Sequence, residues 1–448
     1  MILYASRLPA RMRFAALVPF KRALAGRYGP ERGFEIFRDT LGLPPGFRLE
    51  VRRLRGFHAF AREHALERLE PFPGGDEVRV DAPVVEGPSN ARSVRAIARA
   101  FVVACLEGCT VAPHSAVTIA GEAALIDAGR DELRRYPSAL ECDASIFAVT
   151  GDDVYVIADD RPLLRVAEAY GSFLGPQSAD PHRWFWALLP KYFAALEAGM
   201  PPSVPVVVPE GVNPMLLDAL NALSAGRCEI VKTPSFARLG VDRLWVATDF
   251  SYSPLLEIRG DRYGGPDRHA VPAERFAAFR AAVEAHARTR PVQPHSGCLF
   301  VEPEQYGRPG NASALQSLLR ARGTRVADLR RLEFCDVFEA VRAARRIVVP
   351  AGARTYAALF ARGGTQVCVI ADPFVMDTAL RMSVLPAYGV EAAFFTGPSS
   401  KLFHAPGFPD FGGGLGHYTV DLHRFGEFLD RWENEQAEPG AAYNAWAP

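Results

Sequence analysis

The sequence predicts an α/β fold with two units built on parallel sheets, and three observations lead to that prediction. The chain has 448 residues, more than one ordinary hydrophobic core organises. From about residue 180, apolar runs of strand length alternate with segments of helical periodicity, and a second such alternation follows position 272. Strands that alternate with helices indicate a parallel sheet covered on both faces. Two such units facing each other form a cleft, and open α/β sheets bind ligands outside the carboxyl ends of their strands.

Composition and charge narrow the class of protein. Apolar residues make up 49% of the chain and charged residues 23%, as in globular proteins. The 51 Lys and Arg residues balance the 51 Asp and Glu residues, so nucleic acid is not an expected partner. The 7 cysteines lie mostly in apolar runs, which predicts buried thiols in a reducing compartment. We therefore expect a cytoplasmic protein.

The first region, residues 1–90, mixes a basic helical pattern with alternating segments and frequent Pro and Gly. We expect a mixed N-terminal extension that contains β-structure. No apolar run approaches the roughly 20 residues of a membrane span. Near the N-terminus, apolar Leu17 and Phe20 stand beside charged Lys21 and Arg22. This pattern indicates either a basic helix in peripheral contact with the inner face of a membrane or an ordinary helix packed on the protein.

The second region, residues 91–265, starts with short strands separated by Gly and Asp over 91–165 and becomes an alternation of helix and strand from about residue 180. Helical spacing from Trp184 to Leu196 precedes the buried strand VPVVVPE, a further helix and two strand-like runs. We interpret this region as one domain with a β-rich part.

The third region, residues 266–435, repeats the alternation, and residues 436–448 form a tail. Its predicted elements follow one another as helix from Pro272, strand GCLFVEP, helix ASALQSLLRARG, strand TRVADL, helix CDVFEAVRAAR, strand RIVVPAG, helix RTYAALFARG, strand TQVCVIAD, strand HYTVDL and a last helix with Phe425, Leu429 and Trp432 on one face. This order predicts a second parallel sheet.

Small residues follow the strand RIVVP, where a helix is predicted to begin. Gly352, Ala353 and Thr355 let the backbone approach a ligand, and free N–H groups at a helix start favour an anion such as a diphosphate. Arg354 would add a bidentate partner for a phosphate. The alternative is a tight turn at Gly352 with Arg354 solvated on the surface.

Polar residues also follow the strand CLFV. Glu302 and Glu304 stand at its end, and Arg308 and Asn311 come before the next helix. These side chains would point to the same ligand site as Arg354. A plain loop, with Asn311 as a helix cap, is the alternative.

In the second region, Asp180, His182 and Arg183 stand at the start of a helix. Asp180 or His182 would supply a general base, since a carboxylate or an imidazole takes a proton from a hydroxyl. The alternative is that Asp180 only caps the helix and His182 lies on the surface. The sequence holds no convincing metal triad and no G-x-G-x-x-G after a strand, so no metal or nucleotide cofactor is expected.

At these residues the chain resembles the family 61 glycosyltransferases, which include capsular polysaccharide biosynthesis proteins. The resemblance covers about residues 165–435. It rests on three segments, AARRIVVPAGARTYAALFARGGTQVCVI, CLFVEPEQYGRPGNASALQSLLRARG and DPHRWFWALLPKYFAAL. Arg308, Asn311, Trp184 and Pro190 match residues of the family's motifs.

The resemblance implies two Rossmann-like domains of GT-B type facing a cleft. It implies inverting transfer of a sugar from a nucleotide-activated donor to a glycan or lipid-linked acceptor, without a tightly bound metal. Residues 266–435 would then bind the donor and residues 91–265 the acceptor.

Several polar positions depart from the family's pattern. Ala351 stands where the family has a histidine, Arg354 replaces a glycine, and Arg183 takes the position of another histidine. Two interpretations follow: a reorganised active site, or a non-catalytic relative that binds a sugar nucleotide or glycan or scaffolds a biosynthetic complex.

Overall fold

The computed structural model describes residues 10–129, 133, 140–161, 163–175, 178–234, 237–251, 270–291, 294–303, 308–400 and 417–434. The chain forms two compact units, each assembled from separate stretches. Unit 1 comprises Met1–Gly74, Arg99–Asn213 and Ser224–Gly264, and unit 2 comprises Gly75–Ala98, Pro214–Leu223 and Gly265–Pro448. Both units combine sheets with helices, so the predicted α/β fold class is confirmed.

The helices are Ala10–Tyr28 (α1), Pro30–Leu41 (α2), Phe57–His64 (α3), 181–198 (α4), Pro214–Leu223 (α5), Ala277–Arg288 (α6), Ala312–Ala321 (α7), Phe334–Ala343 (α8), Met376–Met382 (α9) and Leu422–Asn434 (α10). Helix α4 is continuous through Pro181–Arg183, a π-helical turn at Trp184–Leu188, and Leu189–Ala198. Short 3₁₀ segments span Leu140–Cys142, Ala273–Phe276, Leu329–Arg331, Ala353–Phe360 and Leu385–Tyr388.

The strands are Phe47–Gly56 (β1), Glu67–Phe72 (β2), Glu77–Val80 (β3), Val84–Glu86 (β4), Val94–Ile97 (β5), Phe101–Val111 (β6), Thr118–Ala120 (β7), Ala123–Ile126 (β8), Ile146–Thr150 (β9), Asp153–Asp159 (β10), Leu164–Tyr170 (β11), Val206–Pro209 (β12), Ile230–Thr233 (β13), Leu239–Ala247 (β14), Cys298–Val301 (β15), Arg325–Ala327 (β16), Arg346–Pro350 (β17), Gln366–Ala371 (β18), Glu391–Thr396 (β19), Ser399–Ser400 (β20) and His417–Tyr418 (β21).

Unit 1 is organised around a large mixed sheet. Its order in the described residues is β13-β12-β11-β14-β6-β7-β8-β1-β10-β9, and β2 also pairs with β6. The four strands β13, β12, β11 and β14 are parallel, and β6 runs antiparallel to β14. Strand β6 is buried along most of its length because its FVVACL run is apolar on both faces.

Residues 1–90 do not form the separate N-terminal extension that the sequence predicts, because one of their strands lies within the main sheet of unit 1. Strand β1 lies inside the sheet of unit 1, parallel to β8 and antiparallel to β10. The β-rich stretch after residue 91 joins the same sheet as the later parallel strands. Alternating apolar residues in FRLEVRRL predict a strand, but its partners lie about 70 to 110 positions later in the chain, and local periodicity carries no information on such distant pairing.

Helix α1 packs on the protein along one side. Val18 and Leu24 are buried, and Lys21, expected on a charged face, is only 2% exposed. Its Nζ donates hydrogen bonds to the carbonyls of Glu141 at 2.9 Å and Ile146 at 2.6 Å. These contacts bury Lys21, whereas its charged neighbour Arg22 is exposed. No helix in the described ranges combines the length and apolarity required to cross a bilayer.

Unit 2 is built on a six-stranded parallel sheet, in the order β16-β15-β17-β18-β19-β4. Helix α10 covers one face because Phe425, Leu429 and Trp432 recur at helical spacing and pack in a cluster with Phe300 and Val348. The edge strand β4 comes from Gly75–Ala98, far upstream of the other strands. Unit 2 resumes in the chain at Gly265. The boundary predicted at 266 therefore lies close to one of several positions at which the chain passes from one unit to the other.

All 7 cysteines are free thiols. Five are buried and two, Cys298 and Cys335, are half-buried, in line with their apolar neighbours. Burial raises the pKa of the Cys109 and Cys142 thiols to about 12, so both stay protonated and unreactive near neutral pH.

Candidate functional site

The parallel part of the sheet in unit 1 contains a point at which the strand order reverses. From β11 the chain proceeds outward to β12 and then β13, and it returns to place β14 on the other side of β11. In doubly wound sheets the ligand site lies outside the carboxyl ends of the two strands at such a point. Gly171 and Ser172 follow β11 there, and Thr248 and Asp249 follow β14.

Five charged side chains meet at this point, and we call them the Asp249 cluster: Arg99, Asp127, Arg183, Lys191 and Asp249. Arg183 Nη2 donates to Asp249 Oδ2 at 2.5 Å, and Lys191 Nζ donates to Oδ1 at 2.7 Å. Arg99 Nη2 donates to Asp127 Oδ1 at 2.7 Å, and the other oxygen of Asp127 accepts the backbone N–H of Asp249. The cluster therefore joins the ends of β8 and β14 to helix α4 and to the residues that precede β6.

The π-helical turn in α4 explains how one helix delivers both cations to one carboxylate. In a regular α-helix, residues i and i+8 point about 80° apart around the axis, at about 100° per residue. The N–H of Leu189 bonds to the carbonyl of Trp184, five residues back, so the turn contains one extra residue. Arg183 and Lys191 then behave as an i, i+7 pair, about 20° apart, and both reach Asp249. Such turns occur frequently at functional sites.

Burial and charge have opposite effects on Asp249. Removal from water by itself raises the pKa of a carboxyl group, but Arg183 and Lys191 outweigh it and hold the pKa of Asp249 well below its ordinary value of 3.8. Asp249 is therefore ionised at neutral pH, and it is a weak base that does not suit proton abstraction.

The sequence-predicted residues of unit 1 lie at the start of α4. Asp180 Oδ1 accepts the backbone N–H of His182 at 2.9 Å, so the helix-cap alternative is confirmed for Asp180. His182 is half-buried rather than on the surface, with its ring centroid 6.3 Å from that of Trp186. Arg183 belongs to the Asp249 cluster. Arg183 thus contacts the charged network directly.

The sheet of unit 2 has its own point of reversal. Strand β16 lies on one side of β15, whereas β17, β18 and β19 follow on the other side. The order corresponds to 2-1-3-4-5 along the chain, for which ligands bind between the first and third strands. The loops after β15 and β17 contain Glu302, Arg308, Gly352 and Arg354, so candidates predicted from two separate motifs follow the two strands that flank this point.

Arg354 is buried, with 3% of its surface exposed, which contradicts the alternative of a solvated side chain. Its Nη1 donates to the carbonyl of Glu302 at 2.7 Å and to Asp328 Oδ1 at 3.2 Å. Asp328 follows β16, so Arg354 ties together the carboxyl ends of three neighbouring strands. Hydrogen bonds from Arg330 in the first place, with the charge of Arg354 adding to them, hold the pKa of Asp328 well below its ordinary value of 3.8.

The residues after β15 differ in their exposure and bonding. Arg308 is exposed. Asn311 occupies the N-cap position just before α7, but its side chain makes no capping bond. Its amide instead donates to the carbonyl of Val420 at 2.7 Å and accepts the N–H of Val420 at 3.0 Å. Glu302 Oε1 accepts from Gln316 at 2.5 Å. Glu304 lies outside the described residues.

The loop after β17 is a tight turn into a 3₁₀ segment rather than the α-helix that was predicted. Gly352 has φ 131°, which favours glycine. The segment starts at Ala353, and the buried Thr355 donates from its hydroxyl to the carbonyl of Gly352 at 3.0 Å. A 3₁₀ segment still leaves N–H groups unpaired at its start, but its hydrogen-bond geometry is poorer than that of an α-helix.

Sequence reasoning missed Asp249, Lys191, Arg99, Asp127 and Asp328. A usable signal existed for three of them, because Asp127 and Asp328 directly follow the last residue of a strand and Asp249 follows one residue later. Lys191 lies inside an apolar helix, where a lone basic residue signals a buried partner. Within the ranges that the structure describes, no group of three or more His, Cys, Asp or Glu residues is arranged to hold a metal ion.

Comparison with known proteins gives no match: no protein-family model and no curated protein sequence matches this chain.

Proposed function

We propose that the protein is a glycosyltransferase of GT-B type, acting in capsular or cell-surface polysaccharide biosynthesis. It would transfer a sugar from a nucleotide-activated donor, bound by unit 2, to a glycan or lipid-linked acceptor, bound by unit 1. The support is the resemblance of three segments to family 61 glycosyltransferases, together with the parallel sheet of unit 2 and the four parallel strands within the mixed sheet of unit 1. No metal or cofactor takes part in the proposal.

One observation carries the assignment of the donor to unit 2. The residues proposed for the diphosphate, Arg308 and the stretch from Gly352 to Thr355, follow β15 and β17, the two strands at which the sheet reverses its order. The backbone turns sharply at Gly352, whose φ is 131°, and this turn would admit a phosphate close to the chain. Arg308, which is exposed, supplies positive charge for the leaving diphosphate.

The proposed chemistry needs a base on the acceptor side. The acceptor oxygen forms a bond to the anomeric carbon, the bond from that carbon to the diphosphate oxygen breaks, and the hydroxyl proton passes to the base. His182 is the better candidate of the two predicted, because a carboxylate oxygen of Asp180 already accepts a backbone N–H. The departing diphosphate takes up the negative charge, which Arg308 and nearby N–H groups stabilise.

A second candidate function is a non-catalytic relative that binds a sugar nucleotide or glycan, or scaffolds a biosynthetic complex. The internal contacts of the predicted polar residues favour it. Arg354 forms an ion pair with Asp328, Asn311 is hydrogen-bonded to Val420, and Asp180 caps a helix. Each of these side chains has an internal structural task, so each is less available for a ligand.

A thermal-shift screen of the whole chain against nucleotide sugars tests the proposal. A ligand that binds only the folded state raises the apparent Tm. At a free concentration one hundred times its Kd, it adds about 2.7 kcal/mol to the free energy of unfolding. We expect at least one nucleotide sugar to raise the Tm and to donate its sugar to an acceptor in the presence of the enzyme. Arg308→Gln should weaken that binding about ten- to hundredfold, since it removes a charge-assisted contact worth about 1.5–3 kcal/mol.

Arg320→Gln is the matched control, because Arg320 is also exposed in unit 2 but lies on helix α7, past its first turns. It should bind as the unaltered protein does. Binding without sugar transfer supports the non-catalytic candidate, whereas a blank screen across a wide panel contradicts the glycosyltransferase and favours the scaffold.

A further inference from the structure

Among the described residues, Arg183 of the Asp249 cluster has protein partners on one side of its guanidinium and none on the other. Its Nη2 donates to Asp249, and in the described part of the chain its Nε and Nη1 donate to no protein acceptor. A guanidinium has five N–H groups in a planar fork, so most of them stay available. Its side chain is 23% exposed, against 7% for Lys191, which makes Arg183 the outer cation of the two that hold Asp249.

The Asp249 cluster fixes the orientation of the Arg183 guanidinium. Asp249 is 13% exposed and is itself bonded to Lys191 and, through its backbone N–H, to Asp127. An arginine whose orientation is already set loses little entropy when it binds a ligand. The five side chains of the cluster carry three positive and two negative charges, so an anion at Arg183 would balance them.

The position of Arg183 also suits a ligand. It stands in the first turn of α4, which follows β11, at the point where the sheet of unit 1 reverses its order. Sites for small ligands in such sheets lie at that point. The π-helical turn that follows Arg183 keeps it in register with Lys191, and turns of this kind are frequent at functional sites.

We propose that unit 1 contains an anion-binding site in which the open side of Arg183 takes a carboxylate or phosphate group. Resting on the proposed function, this anion is carried by the acceptor, so the acceptor is an acidic glycan or a phosphate-bearing glycan carrier. Arg183 forms two parallel N–H···O bonds with it along one edge of the guanidinium, from the second N–H of Nη2 and from Nη1 or Nε, while the first N–H of Nη2 stays on Asp249. Lys191 and Asp249 act as positioning residues that keep the fork oriented.

Thermal shift of the whole chain with inorganic phosphate, sodium glucuronate and glucose, at constant ionic strength, tests this site. We expect one or both anions, and not glucose, to raise the Tm. A response to glucuronate alone assigns a carboxylate, and a response to phosphate alone assigns a phosphate. Arg183→Gln should raise the apparent Kd for the active anion at least tenfold.

Two further variants separate binding from folding. Arg183→Lys keeps the positive charge and the ion pair with Asp249 but loses the planar set of N–H donors. It should therefore weaken anion binding without a large loss of stability. Arg243→Gln is the matched control, because Arg243 is 46% exposed and lies on β14, the strand that leads to Asp249. It should bind the anion unchanged.

The inference is overturned if no anion raises the Tm of the unaltered protein, or if Arg183→Lys binds the anion as well as the unaltered protein does. It is equally overturned if Arg308→Gln abolishes the shift while Arg183→Gln preserves it. Nucleotide-sugar binding is measured separately, so loss of the anion site leaves the proposed function standing, and a blank nucleotide-sugar screen leaves the anion site standing.

Discussion

Asp249 shows how a single residue connects distant parts of unit 1. Its two cationic partners lie 66 and 58 positions earlier in the chain, and its backbone N–H bonds to Asp127, 122 positions earlier. A buried carboxylate with two cations is favourable only while all three are present, because an unpaired buried charge costs several kcal/mol. Stability should therefore depend strongly on this residue.

Asp249→Asn should lower the unfolding free energy by about 3–5 kcal/mol at pH 7, since it leaves Arg183 and Lys191 without their counter-charge. The difference should shrink in acid. The folded pKa of Asp249 lies below the unfolded value of 3.8, so its stabilisation is complete above about pH 4 and is lost as the pH falls towards the folded pKa. Urea unfolding of both proteins from pH 7 down to pH 3 measures this.

Asp242→Asn provides the control for that experiment. Asp242 lies on the same strand, β14, but is 67% exposed, and its nearest cation, Arg165, is 3.8 Å away. Exposed pairs contribute about 0–1 kcal/mol, so this variant should unfold almost as the unaltered protein does. Equal losses from the two substitutions, or a loss at Asp249 that does not change with pH, would contradict the account.

The residues of the candidate site were partly predictable from the sequence. Arg354 and Arg308 were found because strands RIVVP and CLFV are strongly apolar and their ends are easy to place. The same rule applied to the strand RLWVAT identifies Asp249, which directly follows it. That Arg354 turns inward to Asp328 could not be predicted, because the contact joins the ends of two strands 26 positions apart whose adjacency depends on the sheet order.

At the scale of elements, the π-helical turn in α4 makes a sharp prediction. Deleting Ala187 should convert the turn into regular α-helix and leave Arg183 and Lys191 seven positions apart, on one face. The cluster and the buried face of the helix then persist. We expect this deletion variant to fold and to keep most of its stability, which circular dichroism and thermal unfolding would measure.

Deleting Ala194 gives the contrast. Ala194 is buried in the regular part of α4, and its loss rotates every later residue of the helix by about 100° relative to the earlier ones. This deletion should destabilise the protein far more than the deletion at Ala187. A result in the opposite order would show that the extra residue is not what aligns the two cations.

The segment after β17 shows where prediction of elements from sequence stops. RTYAALFARG is rich in good helix formers, and it predicts an α-helix. The structure has a 3₁₀ segment instead, Ala353–Phe360. Within its first turn, Arg354 is drawn to Asp328 and Glu302, and the hydroxyl of Thr355 bonds back to Gly352. Tertiary contacts of this kind override helix propensity.

At the scale of the whole molecule, each unit is assembled from separate stretches of the chain. The alternation of strands and helices located the parallel sheet of unit 2 and the parallel strands of unit 1, but it placed residues 75–98 in the N-terminal part. In the structure this stretch belongs to unit 2: β4 extends its sheet beside β19, and β3 pairs with β5. Pairing between segments some 300 positions apart leaves no periodic signal, so the discontinuous boundaries could not be found locally.

The stretch 75–98 should therefore be required for a stable unit 2. Val80, Val94 and Ala96 pack with Ala270, Met376 and Leu380, and Thr396 Oγ1 donates to the carbonyl of Pro88 at 2.7 Å. A fragment of residues 265–434 lacks these contacts as well as helix α5 of unit 2, and it leaves the edge of β19 open to aggregation. Adding the peptide 75–98 should raise the Tm of the fragment by several degrees, because binding to the folded state adds stability.

The same peptide with Val80→Asp, which places a charge in the buried cluster, should have little effect. A fragment whose Tm does not respond to the native peptide would instead favour a unit that folds from position 265 onward alone.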